Sequence, residues 1–231
     1  MGWINRFRLR WLGKTVRIRG IFVPIDCPEI SEPAAMAIRD GTYEGPEAEM
    51  LIKHLEKDDV VLELGGGIGF MSAVAAVRLK SQAVTIVEAD PRMLDIIRVT
   101  HDLNGTFARV KWGAVSDGND GSHIEFFERQ HFMVSSLTSH ESPWIRKYQV
   151  PRMSLPMLVG EAEPTFLIID IEGAEISLFN RVTELGRVSK ILIEIHSQLF
   201  SDESVGLLNS NIERLGFMLK DKSGLVHFYS R

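Results

Sequence analysis

The sequence predicts an α/β protein in which helices cover both faces of a mostly parallel β-sheet. From about residue 46 onward, apolar runs of strand length alternate with segments of helical periodicity. The strand segments are apolar on both faces, which is typical of parallel strands buried between two layers of helices. With 231 residues, of which 45% are hydrophobic and 25% charged, the chain is long and apolar enough to bury a core.

The core elements follow one another in a regular order. Strands are predicted at 60–64, 84–88, 110–115, 166–171 and 191–195, and helices at 68–79 and 91–104. Two further strands, at 217–220 and 225–229, flank a turn and predict a hairpin that adds an antiparallel strand at the end of the sheet. An insertion at about 117–164 is rich in Ser, His and Pro without clear periodicity, so it predicts a long loop that serves as a substrate lid.

The N-terminal part, residues 1–45, is predicted to be a basic segment and cap on a main domain that spans 46–231. No acidic residue precedes Asp26, whereas six basic residues do. Read as a helix, residues 4–14 place apolar and basic side chains on separate faces. This pattern fits a solvated terminal helix, a cleaved presequence, or contact of residues 1–20 with an anionic membrane or glycan. The alternation in residues 16–23 predicts a strand.

Composition and charge argue against several classes of protein. The single cysteine, Cys27, rules out a disulfide framework and indicates a reducing, cytoplasmic location. No apolar run approaches the roughly 20 residues that span a bilayer. The net charge of -5 and the pI near 5.8 argue against a general nucleic-acid binder and favour small molecules or glycans as partners.

A glycine-rich turn follows the first core strand. Gly65, Gly67 and Gly69 open the next helix, and glycines at this place let the backbone approach a ligand beyond the strand ends. The dinucleotide fingerprint G-x-G-x-x-G fails, because its third glycine position is Phe70. The spacing G-x-G-x-G, preceded by Glu63, resembles the first motif of S-adenosylmethionine-dependent methyltransferases. The alternative is a purely structural turn.

A carboxylate, Glu88, ends the second core strand about 20 residues beyond the glycines. Such a carboxylate can accept hydrogen bonds from both hydroxyls of a ribose, as an adenosine-containing cofactor requires. The alternative is an ordinary solvated carboxylate or a partner of the next helix dipole. Asp90 directly precedes Pro91 and is predicted to cap that helix, which leaves Glu88 free for a ligand.

Three further segments resemble the FkbM family of S-adenosylmethionine-dependent O-methyltransferases. The resemblance spans about 41–196 and is carried by Tyr43-Glu44, by Asp170-Ile-Glu172-Gly173-Ala174-Glu175, and by Ile193-Glu194-Ile195-His196. It implies a class I methyltransferase (Rossmann-like) fold, whose seven-stranded, mostly parallel sheet has an antiparallel last strand. It also implies S-adenosylmethionine as cofactor and methyl transfer to a hydroxyl of a sugar, glycan or natural product.

The motifs and the resemblance assign candidate residues to the cofactor and to the acceptor. Ala114 and Val115 end the third strand, where this fold usually contacts adenine. The candidate cofactor-binding residues are Tyr43, Glu63, Gly65, Gly67, Gly69, Glu88, Ala114, Val115 and Asp170. Ser135 and Ser136 resemble a serine pair of the family and, with Glu194, are candidate acceptor-binding residues.

Asp170, Glu172 and His196 are the candidate catalytic residues, because they follow strand ends that face the ligand crevice. Asp170 either orients or deprotonates the hydroxyl, or holds a divalent cation; alternatively, Asp170 and Glu172 cap the next helix. A neutral His196 is predicted to take the proton, with a packing role as the alternative. N-methylation and a non-catalytic module of the same fold stay open as other functions, and the glycine spacing disfavours a nicotinamide dehydrogenase.

Overall fold

The computed structural model describes residues 15–79, 83–117, 122–137 and 143–231. The predicted basic helix at 4–14 lies outside these residues, and so does part of the predicted insertion. Among the described helices, none combines the length and the apolar character needed to cross a bilayer.

A seven-stranded sheet forms the centre of the protein. Its strands are β3 (Val61–Leu64), β4 (Val84–Glu88), β5 (Arg109–Trp112), β9 (Phe166–Ile169), β10 (Lys190–Glu194), β11 (Met218–Ser223) and β12 (Val226–Ser230). They lie in the order β11-β12-β10-β9-β3-β4-β5. Neighbours from β10 to β5 are parallel, whereas β12 is antiparallel to both β10 and β11. The predicted mostly parallel sheet with an antiparallel last strand is confirmed.

The sequence predicts an antiparallel strand at the end of the sheet, whereas the last strand, β12, lies inside it. β12 is inserted between β10 and β11, so β11 forms the edge. Val226, Phe228 and Tyr229 of β12 are buried, whereas Met218 and Leu219 of β11 are exposed. The strand with more buried apolar surface therefore takes the inner position.

Helices cover both faces of the sheet, as predicted. The first face carries α1 (Glu32–Asp40), α2 (Gly45–His54), α3 (Phe70–Ala76) and α4 (Met93–Leu103), and the second face carries α5 (Leu155–Ala162), α6 (Glu175–Leu178) and α7 (Asp202–Arg214). Side chains alternate between the two hydrophobic clusters, since Val61 joins the first and Leu62 and Leu64 join the second. Every residue of β3, β4 and β9 is buried, which explains why these strands are apolar on both faces.

The described N-terminal cap starts with a hairpin of β1 (Thr15–Ile18) and β2 (Ile21–Pro24). The single strand predicted at 16–23 is wrong, because Arg19 and Gly20 have φ values of 45° and 90° and reverse the chain. Ile18, Ile21 and Val23 join the hydrophobic cluster of the first face. The cap and the main domain therefore share one core.

The long loop predicted at about 117–164 contains regular structure in its described part. β7 (His123–Glu128) and β8 (Arg146–Met153) lie in it and form a separate sheet with β6 (Ala114–Val115), which precedes it, in the order β6-β8-β7. Its role as a substrate lid stays a prediction. Most side chains at the start of β8 are exposed, so this strand lacks the apolar run by which a strand is recognised.

The strand predicted at 110–115 is also divided, at Gly113. There β5 ends, and β6 leaves the main sheet to pair with β8. A Cβ at Gly113 would lie 2.9 Å from the backbone oxygen of Pro151, so glycine favours this close crossing.

Buried His101 in α4 is expected to make the protein sensitive to acid. Its imidazole is hydrogen-bonded with Ser72 Oγ (3.1 Å) and Thr106 Oγ1 (2.8 Å), and burial lowers its pKa to about 4. Because an unfolded histidine titrates near 6.5, the unfolded chain binds more protons as the pH falls from 6.5 to 4. We expect about 2 kcal/mol of the free energy of unfolding to be lost across this range.

Urea unfolding of the wild-type chain and of His101→Gln at pH 7 and pH 4.5 measures this effect. The variant should lose less of its stability on acidification, since it lacks the titrating group. An equal loss in both chains would show that His101 does not control the acid response.

Candidate active site

The carboxyl ends of four neighbouring strands open into one cavity of about 430 Å³. Gly65 follows β3, Glu88 ends β4, Asp170 follows β9 and His196 follows β10, and all four line this cavity. Residues of the cap and of the insertion complete its walls. Parallel α/β sheets bind their ligands at this edge, so the cavity is the candidate active site.

Gly65 brings the first turn into direct contact with the loop after β9. Its φ is 85°, and a Cβ built there would lie 1.7 Å from the backbone oxygen of Asp170. Gly67 has a φ of 48° and also lines the cavity. Gly69 does not line it: this glycine precedes α3 and lies against Ile97, so its place is explained by packing.

Glu88 holds the glycine turn in place, so the prediction that it stands free is wrong. Its Oε2 accepts hydrogen bonds from the backbone N–H of Gly66 (2.8 Å) and Gly67 (2.9 Å), and its Oε1 accepts one from the N–H of Asp90 (2.6 Å). Burial raises the pKa of Glu88 to about 7. A carboxylate offers about four acceptor positions, so three donors leave one open toward the cavity that Glu88 lines.

α4 begins at Met93, three residues after Asp90, whose Oδ1 accepts the backbone N–H of Arg92 (3.0 Å) in the turn that leads into the helix and whose carboxylate pairs with the Arg92 guanidinium. The Arg92 guanidinium also lies 3.2 Å from Glu128 Oε1 and donates to Ser135 Oγ at 3.4 Å. Glu128 and Ser135 belong to the insertion, whereas Asp90 follows β4. Arg92 therefore connects the β4 side of the cavity with the insertion.

The two serines proposed for the acceptor differ in position. Ser135 lines the cavity, and its Oγ accepts the backbone N–H of Arg129 at 3.0 Å. Ser136 is buried outside the cavity lining, where its Oγ accepts a hydrogen bond from Arg129 Nη1 at 3.0 Å. The structure thus places Ser136 beside a buried arginine and not at the ligand cavity.

Four carboxylates surround the imidazole of His196 at the β9 and β10 end of the cavity. Nδ1 lies 3.1 Å from Glu175 Oε1, and Nε2 lies 3.3 Å from Glu172 Oε2. Asp170 Oδ1 and Glu194 Oε1 are farther from Nε2, at 3.8 Å and 4.0 Å. The loop after β9 and the end of β10 therefore bring together all the predicted catalytic side chains.

Asp170 and Glu172 do not cap a helix. α6 begins at Glu175, and its N-cap residue Ala174 makes no side-chain hydrogen bond. Glu172 has a φ of 46°, a left-handed conformation that is uncommon for glutamate. The capping alternative for both carboxylates is therefore wrong.

Burial and mutual charge shift the titration of this cluster. Burial raises the pKa of Asp170 to about 6, of Glu172 to about 8 and of Glu194 to about 7. Burial lowers the pKa of His196, but the hydrogen bond that its Nδ1–H donates to Glu175 and the charges of Glu172 and Asp170 outweigh this effect and raise the pKa to about 10. His196 is therefore an imidazolium at neutral pH in the unliganded site, which disagrees with the predicted neutral proton acceptor.

Tyr43 and Glu44 of the cap reach the same cavity. Tyr43 is buried, and burial raises the pKa of its hydroxyl, which hydrogen-bonds to Glu44, well above the usual value. Glu63 lines a small neighbouring cavity of about 20 Å³ and not the main one. Burial raises the pKa of Glu63 to about 8, and its Oε2 has no hydrogen-bond partner among the described residues.

Comparison with known proteins identifies the fold. Residues 45–126, less than half of the chain, match the family described as methyltransferase small domain. PH0793 of Pyrococcus horikoshii, provisionally described as a transferase, aligns with a TM-score of 0.51 at 14% identity, over 94% of this chain and 69% of that one. This chain has the class I methyltransferase fold.

Two other solved structures align with this methyltransferase fold at lower scores. TYW2 of M. jannaschii in complex with AdoMet has a TM-score of 0.48 and 11% identity, over 93% of this chain and 82% of that one. The ribosomal protein L11 methylase of Lactobacillus delbrueckii subsp. bulgaricus has a TM-score of 0.49 and 9% identity, over 82% and 77%. No curated protein sequence matches the chain.

Within the methyltransferase fold, most of the predicted site residues line the cavity. These are Tyr43, Gly65, Gly67, Glu88, Ala114, Val115, Ser135, Asp170, Glu172, Glu194 and His196. Among the lining residues that the sequence analysis missed are Glu44, Glu47, Phe126 and Phe132. Glu44 stands beside Tyr43 in a motif already singled out, whereas the two phenylalanines carried no signal because their segment has no recognisable pattern.

Proposed function

We propose that this protein is an S-adenosylmethionine-dependent methyltransferase that acts on a hydroxyl of a sugar, glycan or natural product. The carboxyl groups of the cavity wall carry the proposal. Seven of them line the cavity, and among the described residues no lysine or arginine does. Burial raises the pKa of six, namely Glu44, Glu47, Glu88, Asp170, Glu172 and Glu194. The sulfonium and ammonium groups of S-adenosylmethionine would stabilise their ionised forms, whereas the pyrophosphate of a nicotinamide cofactor would find no lysine or arginine in this lining.

The β4 side of the cavity suits the adenosine part of this cofactor. Glu88 has one acceptor position left for a ribose hydroxyl, next to the N–H groups that it already binds. Ala89, Ala114, Val115 and Phe132 supply apolar surface at this side of the lining for an adenine ring.

The end of the cavity formed by β9 and β10 suits the methyl transfer. The acceptor oxygen forms a bond to the methyl carbon while the carbon–sulfur bond breaks, and sulfur keeps that electron pair and becomes a neutral thioether. The hydroxyl proton passes to a carboxylate at this end, and the protein contributes alignment and charge. Asp170 orients the hydroxyl, since its Oδ1 has no hydrogen-bond partner among the described residues.

The D-x-E-G-x-E motif and the Tyr43-Glu44 pair support a place in the FkbM family.

Calorimetry with S-adenosylmethionine tests the cofactor, and a screen with radiolabelled methyl donor tests the acceptor. The screen includes glycans, hydroxylated natural products, amines and RNA, and product hydrolysis shows whether oxygen or nitrogen carries the methyl group. Binding without transfer to any acceptor would favour the non-catalytic module. The absence of cofactor binding would overturn the proposal.

Glu88→Ala is expected to weaken S-adenosylmethionine binding by about 1–3 kcal/mol, because a charged acceptor for the ribose is lost. Calorimetry measures the affinity, and thermal unfolding reports any loosening of the glycine turn that Glu88 also holds. The exposed carboxylate Glu184, outside the cavity lining, provides the control Glu184→Ala. If Glu88→Ala binds as tightly as this control, the ribose lies elsewhere.

A further inference from the structure

We propose that Asp170, Glu172 and His196 form a binding site for one divalent cation at the wall of the cavity. One ligand atom from each of these residues lies within 4.8 Å of the others. Two carboxylates and one imidazole suit a divalent cation that accepts both oxygen and nitrogen ligands. Mn²⁺ is such a cation and serves as the probe.

The separations between these atoms fit a shared cation. Nε2 of His196 lies 3.3 Å from Glu172 Oε2 and 3.8 Å from Asp170 Oδ1. Ligand atoms that each bind one metal at about 2.1 Å lie roughly 3–4 Å from one another. Among the described residues, Nε2 makes ion-pair contacts but no hydrogen bond to either carboxylate, and the buried Asp170 Oδ1 has no hydrogen-bond partner. The three atoms thus lie at separations that one cation can bridge, and a cation bound there would replace the proton on Nε2.

A buried carboxylate orients the histidine of this site. Glu175 is fully buried, and its Oε1 lies 3.1 Å from His196 Nδ1 and accepts the backbone N–H of His196 at 2.9 Å. A carboxylate on one ring nitrogen, with the other nitrogen turned to the metal, is the usual arrangement around metal-bound histidines. Glu175 Oε2 also accepts the N–H of Gly173, so the same side chain holds the loop that carries Glu172.

The backbone at Glu172 gives independent support. Its φ of 46° places a glutamate in a conformation that costs energy and persists only where the surroundings enforce it. Glu172 lines the cavity, and its Oε2 is the atom that lies 3.3 Å from His196 Nε2.

The use of this cation in catalysis rests on the proposed function, whereas its binding does not. A cation on Asp170, Glu172 and His196 would bind the acceptor oxygen and lower the pKa of its hydroxyl. The proton would then pass to Glu194, which lines the same cavity beside the three ligands.

Titration of the purified full chain with Mn²⁺, without cofactor, tests the site by calorimetry, electron paramagnetic resonance and thermal unfolding. We expect saturable binding of one Mn²⁺ per chain and a higher melting temperature. Asp170→Asn and His196→Gln should each weaken binding at least about tenfold, and Glu175→Gln by roughly 10–100-fold, because it removes the group that orients the imidazole. Glu184→Gln removes an exposed carboxylate outside the cavity lining and should bind within about twofold of wild type.

Two results would overturn this site. One is the absence of saturable Mn²⁺ binding to the folded wild-type chain. The other is binding that Asp170→Asn and His196→Gln, shown to be folded by circular dichroism, leave unchanged. If S-adenosylmethionine binds and Mn²⁺ does not, the cation site fails alone and the proposed function stands.

Discussion

Asp170→Asn is expected to lower methyl-transfer turnover by about 10²–10⁴-fold, while the fold and the affinity for S-adenosylmethionine change little. The substitution keeps the size of the side chain and removes its charge. That charge faces the reacting end of the cavity, where it orients the hydroxyl directly or through a cation. Steady-state kinetics, calorimetry and thermal unfolding measure the three quantities separately.

The exposed carboxylate Asp95, paired with Arg98 on α4, provides the matched control Asp95→Asn, which should turn over normally. A chelator added to the wild-type enzyme separates the two roles of Asp170, since only cation-assisted transfer is lost on its addition. Normal turnover of Asp170→Asn together with a lower melting temperature would show a structural role instead.

Gly65→Ala is expected to destabilise the protein by at least about 4 kcal/mol and to lower turnover by at least about 100-fold. A Cβ at this position would lie 1.7 Å from the backbone oxygen of Asp170, and backbone on both sides prevents an inexpensive adjustment. The loop after β9 would have to move, and it carries Asp170 and Glu172. Urea unfolding and steady-state kinetics measure both effects.

Gly41→Ala is the matched control for this substitution. Gly41 also has a positive φ, 72°, but a Cβ built there meets nothing within 4 Å. The substitution Gly41→Ala should therefore lower the free energy of unfolding only by the cost of a left-handed alanine, about 1–2 kcal/mol, and leave turnover unchanged. Equal destabilisation by both substitutions would mean that the contact between Gly65 and Asp170 is not what requires glycine.

The parallel core of the fold was predictable because each buried strand is a run of mostly apolar residues that can be recognised by itself. β4 lies at the predicted residues, 84–88, and every one of its residues is buried. The folded insertion was not predictable in this way, since the strands of its small sheet expose many polar side chains and carry no apolar run. The position of β12 inside the sheet also depends on competition with β11 for burial, which the hairpin pattern does not express.

The candidate site was predictable as a set of residues but not as a set of interactions. Gly65, Glu88, Asp170 and His196 follow four strands, so strand order alone brings them to one edge. Yet Glu88 binds the glycine turn, and His196 is charged because several carboxylates face it. Contacts of this kind join residues far apart in the chain.

The sequence by itself determined the α/β fold class, the glycine turn and the carboxylates that end the strands, because each depends on a local pattern of burial or backbone freedom. Only the tertiary structure decided that His196 is protonated and that the Glu88 carboxylate accepts hydrogen bonds from the glycine turn. It also decided that Gly69 and Ser136 lie outside the cavity lining. Protonation depends on distance and burial in three dimensions, and a loop without periodicity gives no information about which of its side chains face inward. The set of side chains that lines the cavity, on which the proposed function rests, therefore becomes visible only in the folded chain.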